Sequence, residues 1–235
     1  MLLKFFIIIF ILFPTYSFAT ECSKNITPNI IINQLPFSLT YNYNMTLLDL
    51  THYAIEKNNE NINKNKELSY NNIVIRGLTS SQFYYKISAN FKYDKQYDSS
   101  YCVYPDNIII DVGFKPFVVF IEKEYKEKSC QHDAILEHEN KHVKIMSVVS
   151  NYYIPFFKKK ILKSYYRFYD KSFININNEQ ELLKPLSVIL QPYLNKIQDQ
   201  VTELNSKLDS PESLNYTKKE CNIWYMPSKN MKEAL

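Results

Sequence analysis

Two histidines four residues apart, His138 and His142, bracket Glu139 in the stretch LEHENKH at residues 136–142. On a helix, residues four apart lie one above the other on one face. Two imidazoles placed so can reach one zinc ion (Zn2+) at about 2.0–2.1 Å. Glu139 stands one position past the first histidine, off the ligand axis but beside the open side of a bound metal. A carboxylate there can take a proton from an attacking water and pass it to a leaving amine. The spacing therefore assigns His138 and His142 as metal ligands and Glu139 as general base. The competing reading is an ordinary helix. In it, Glu137 and Glu139 pair with Lys141 and Lys144, and the histidines bond to backbone or tyrosine.

The elements that must position these residues follow from punctuation and periodicity. Ser129 can cap a helix, Asp133 favours its first turn, and Pro155 stops or kinks it. Ile135, Leu136, Val143, Ile145, Met146 and Val149 give that segment an inward side. A Lys- and Tyr-rich helix is expected over 156–169, a loop over 171–184, and a long helix over 186–208 with Pro192 a possible start. In the long helix Leu190, Leu194, Ile197, Val201, Leu204 and Leu208 recur at helical spacing. The first half reads mostly as strands, at 29–33, 37–43, 72–76, 84–93, 107–112 and 117–125, with one helix over 46–57. GFKP between the last two strands suits a hairpin, and NNENINKNKE at 58–67 a polar loop. The expected fold class is α+β: an antiparallel sheet layer in the N-terminal half, packed on the HExxH helix and further C-terminal helices.

A catalytic zinc takes three protein ligands plus water. No histidine follows His142, and His132 falls on a different helix face from His138. His52 sits on a separate helix and needs tertiary packing to reach the site. The downstream carboxylates considered are Glu179, Glu181, Glu203, Glu212 and Glu220. Glu220 is slightly favoured because it adjoins Cys221, in a tail that a disulfide would pin.

The wider chain sets the context. Lys4, the apolar run Phe5–Phe13 and Ser17-Phe18-Ala19 form a secretory signal, with cleavage expected after Ala19. Residues 20–235 then read as one domain: β-rich over 20–128, helical over 129–210 and irregular over 211–235. No later apolar run is long enough for a transmembrane span. Export to the periplasm or exterior permits disulfides among Cys22, Cys102, Cys130 and Cys221, and three pairings stay open. The formal charge is only +4, and Arg76 and Arg167 are the only arginines, which argues against a nucleic-acid partner. Asn25, Asn44 and Asn215 start N-x-Thr sequons, and Lys158-Lys159-Lys160 is a short basic run that could touch anionic lipid or wall polymer but reads first as a solvated helix face.

The pattern C-x7-H-E-x-x-H, Cys130 to His142, after an expected β-hairpin in a short exported chain, resembles a group of bacterial secreted proteins predicted to be zinc-dependent proteases. The resemblance covers mainly residues 100–150, with LDSPES and the later Cys and Trp at 208–224 as a second stretch. It implies peptide-bond hydrolysis with zinc as cofactor and a peptide or protein substrate. This chain lacks the His-Gly motif that the group carries near its C-terminus, which leaves the third ligand open. The alternative expectation is a non-catalytic envelope binding module on the same scaffold, with a degenerate HExxH helix.

Overall fold

The computed structural model describes residues 27–61, 75–95, 101–169, 172–173, 179–210, 212–213 and 221. The proposed signal peptide, Cys22, Glu220, the 62–67 part of the polar loop, and the sequons at Asn25 and Asn215 lie outside them.

The chain forms β1 (Asn29–Gln34), β2 (Leu39–Asn42), α1 (Leu47–Asn61), β3 (Gly77–Ser80), β4 (Phe83–Lys95), β5 (Tyr101–Phe114), β6 (Phe117–Ile121), α2 (Cys130–Tyr153), α3 (Phe156–Tyr169), β7 (Ser172–Phe173) and α4 (Glu179–Leu208). The class is α+β, as the sequence patterns indicate. One sheet has the order β1-β5-β4, with β7 also on β5; the other has the order β2-β6-β3.

Pairing differs in detail from a purely antiparallel layer. β4 runs antiparallel to β5 and β3 antiparallel to β6, but β1 pairs parallel with β5 and β2 parallel with β6. The hairpin expected across GFKP does not form, because β5 and β6 belong to different sheets. Gly113 takes φ 151°, a conformation that side-chain-bearing residues rarely adopt. Past the end of β5, the Phe117 amide donates to Ser38 O at 2.8 Å, so the chain is captured beside β2. The long hairpin is β4–β5, with a register shift at Asn90/Phe91 opposite Pro105. A bulge is where a strand tolerates proline.

β5 and β6 supply the sheet side of the core through Ile108, Ile110, Val112, Phe117, Val119 and Ile121. Ile135, Val143, Met146 and Val149 of α2 pack into it, with Phe157 and Ile161 of α3. Leu186, Leu190, Leu194, Ile197 and Val201 line the inward stripe of α4. That stripe holds α4 helical through Pro185 and Pro192, so Pro192 is not its start and the expected 171–184 loop is partly helix. Interior proline costs about 3 kcal/mol, while each fully buried leucine or isoleucine contributes roughly 1.5–3 kcal/mol. Pro192 also faces solvent, where its missing N–H costs least.

Candidate metal centre

α2 carries the HExxH residues and is fixed at both ends. Ser129 caps it, its Oγ accepting from the His132 amide at 3.2 Å. The Cys130–Cys221 disulfide ties the first turn to the C-terminal tail, with Cα atoms 5.6 Å apart. Gln131 Nε2 donates to Cys221 O at 3.0 Å beside it. Cys102 is disulfide-bonded as well. Among the described residues no helix is long and apolar enough to cross a membrane.

Two glutamates of this helix meet opposite fates. Glu137 is exposed and bonds Lys141 at 2.9 Å, one turn along, which holds its carboxyl below the usual value. Glu139 turns inward and is 5% exposed. It rests on β3 so closely that a Cβ added at Gly77 would lie 2.6 Å from Glu139 Oε1 and 2.5 Å from Ile135 Cγ2. Only glycine leaves that space open. Two residues on, Thr79 Oγ1 bridges Glu139 Oε2 at 2.8 Å and the Glu139 backbone carbonyl at 2.9 Å.

A hydroxyl has one proton and two lone pairs. With Glu139 protonated both contacts are satisfied: the carboxyl donates to Thr79, and Thr79 donates to the carbonyl. With Glu139 ionised, the single Thr79 proton serves one oxygen. Burial pushes the Glu139 carboxyl above its ordinary value, and His142, His138 and Thr79 offset this only in part.

The histidines project toward the end of α4. His138 Nε2 and His142 Nε2 lie 3.2 Å apart. Asp209, the residue after α4, places Oδ1 3.0 Å from each. Three donor atoms thus form a triangle with sides of 3.0–3.2 Å. Ligands at 2.0–2.1 Å around a tetrahedral metal stand about 3.3 Å apart, so the spacing fits a cation at their centre. The donor chemistry fits too. His142 Nδ1 lies 3.0 Å from Asn205 Oδ1; that carbonyl oxygen can only accept, so Nδ1 carries the proton and Nε2 presents a lone pair. With His138 in the same tautomer, two imidazole lone pairs and a carboxylate oxygen would face one another with no proton between them, and a cation would satisfy all three.

In the absence of metal, protons do that work. Burial pulls the His142 imidazole down, but hydrogen bonds to Asp209 and Asn205 leave it above its ordinary value. Burial pushes Asp209 up, yet the hydrogen bonds and charges of His138 and His142 hold it far below the usual carboxylate range. The Asp209 side chain remains half exposed, which gives the centre an opening to solvent.

The structure thus brings together His138, Glu139 and His142, a group able to hold a metal. Of the candidates for a third ligand, His52 is exposed on α1. Glu181 and Glu203 are exposed and paired with Lys184 and Lys207 on α4, and Glu212 is exposed. The side chain of Glu179 and all of Glu220 lie outside the described residues. His132 is buried with its ring 5.5 Å from Tyr43 and its Nδ1 2.9 Å from Asp133, away from the triangle. Sequence reasoning missed Asp209, Asn205, Thr79 and Gly77. One signal was present: Asn205 and Asp209 follow Val201 at successive four-residue steps, so they interrupt the apolar stripe of α4 with polar groups.

Comparison of the chain with protein-family models, curated proteins and solved structures finds no match in any of the three.

Proposed function

We propose that this chain is an exported zinc-dependent peptidase whose metal is held by His138, His142 and Asp209. The observation that supports this reading is the convergence of Nε2, Nε2 and Oδ1 within 3.0–3.2 Å beside a buried glutamate. Zinc, when bound, supplies Lewis acidity that polarises an acyl oxygen and brings water deprotonation within reach of neutral pH.

The chain's own groups do the rest. Glu139 takes the proton of the attacking water on its carboxylate and returns it to the leaving nitrogen. Thr79 faces Oε2 and can accept from the protonated carboxyl or donate to the ionised one. Asn205 fixes the His142 tautomer. Gly77 makes the room that lets Glu139 lie against β3. Paired cysteines and the signal-like N-terminus support an oxidising, extracytoplasmic setting.

The test is hydrolysis of a quenched-fluorescence peptide library by the purified protein. Cleavage is expected to stop on chelation, return with zinc, and be absent from Glu139→Gln. A Glu139→Gln protein that cleaves at the wild-type rate overturns the assignment. Absence of cleavage by zinc-loaded wild type makes the protein a metal-holding envelope module instead.

A further inference from the structure

We infer that the outer face of the α2–α3 elbow is a docking surface for an anionic lipid bilayer. From Lys141 to Tyr169 the chain contains no Asp or Glu, while Lys141, Lys144, Lys158, Lys159, Lys160, Lys163 and Arg167 all fall there. Lys141 pairs with Glu137 one turn before it, and beyond it six further basic side chains follow with no acidic residue on the same stretch, in a chain of formal charge +4 overall.

The same elbow exposes apolar surface where its helices should have none. Lys144, Val148 and Tyr152 recur every four residues, on the side of α2 away from the buried Val143, Met146 and Val149. Val148 is 56% exposed and Tyr152 63%. The stripe continues across the α2–α3 junction: the Tyr152 and Phe156 rings lie 5.7 Å apart, and Phe156 is 43% exposed. Lys159 and Lys163, exposed, follow Phe156 at helical spacing on the side of α3 opposite the buried Phe157 and Ile161. An aliphatic and aromatic centre is thus flanked by lysines along both helices.

Charge complementarity selects the occupant. Tyrosine and phenylalanine with long lysines suit the water–lipid boundary, where rings enter the headgroup layer and ammonium groups meet anionic heads. The cations are lysines, with Arg167 the one arginine in the span, so the surface answers to diffuse negative charge rather than to a bidentate phosphate fork.

The full chain is tested by co-sedimentation with vesicles of phosphatidylcholine alone and of phosphatidylcholine with phosphatidylglycerol. Comparing the two removes a common contribution from the apolar run at Phe5–Phe13. Binding is expected to the anionic vesicles, weakening with salt. Each exposed lysine reversed to glutamate at 144, 159 or 163 should weaken it by about fivefold or more. Tyr152→Ser with Phe156→Ser should weaken it further while leaving the circular dichroism spectrum unchanged. Equal partition into both vesicle types, or anionic binding untouched by both sets of substitutions, overturns the inference. Equally tight, ring-independent binding to a soluble polyanion also overturns it, and assigns the face to an acidic polymer.

Discussion

His138 Nε2 and Asp209 Oδ1 lie 3.0 Å apart although 71 residues separate them in the chain. The contact joins the middle of one helix to the residue that ends another. In the proposed metal centre it supplies the ligand that the HExxH spacing leaves missing. The proposed activity depends on this junction.

Asp209→Ala removes a donor without touching the α2 helix. We expect zinc affinity to fall by at least about 100-fold, the upper end of what loss of an outer partner costs. Competition with a chromophoric chelator measures this. Affinity unchanged in Asp209→Ala would return the third-ligand role to a residue elsewhere.

Asn205→Ala frees His142 Nδ1 and its tautomer. Affinity should fall about 10–100-fold, less than for Asp209→Ala. Asn205→Asp should recover much of the loss, because a carboxylate also accepts from Nδ1. The same chelator competition reads both variants.

Gly77→Ala places a methyl where Ile135 Cγ2 and Glu139 already sit. Overpacking of this kind costs typically about 1–3 kcal/mol. Urea unfolding should register that loss, and hydrolysis should fall more than stability does, because Glu139 must move. Thr79→Val removes the bridge to Glu139 while keeping the shape. It should lower kcat with little change in KM.

Reduction of Cys130–Cys221 opens a link spanning 91 residues. Chain entropy for a loop of that size corresponds to roughly 4–5 kcal/mol, and measured losses run about 2–5 kcal/mol. The Cys130→Ala, Cys221→Ala double variant should therefore melt several degrees lower. The Ser129 cap and the packing of α2 should keep its HExxH face helical.

Much of the site's scaffold was legible in the residues. The Ser129 cap, the inward stripe of α2, the break at Pro155 and the extent of α3 all follow from local signals, and all are found. Glu139 facing inward follows from its phase with Ile135 and Val143. What local signals do not carry is partner choice. Whether β5 and β6 pair with each other depends on which sheet captures Phe117, and GFKP does not announce that Phe117 pairs beside Leu39 of β2. The long α4 stripe outweighs two prolines that, read singly, interrupt a helix. Asp209 escaped notice for the same reason. Its position beside His138 arises only when the end of α4 packs against the middle of α2.

The most direct test of the metal centre is elemental analysis of the purified protein after zinc loading and desalting, beside His142→Ala and Asp209→Ala. About one zinc per wild-type chain, lost from His142→Ala and much reduced in Asp209→Ala, is the predicted result. Folded wild-type protein that retains no zinc would contradict it and leave HENKH a helix with two paired histidines.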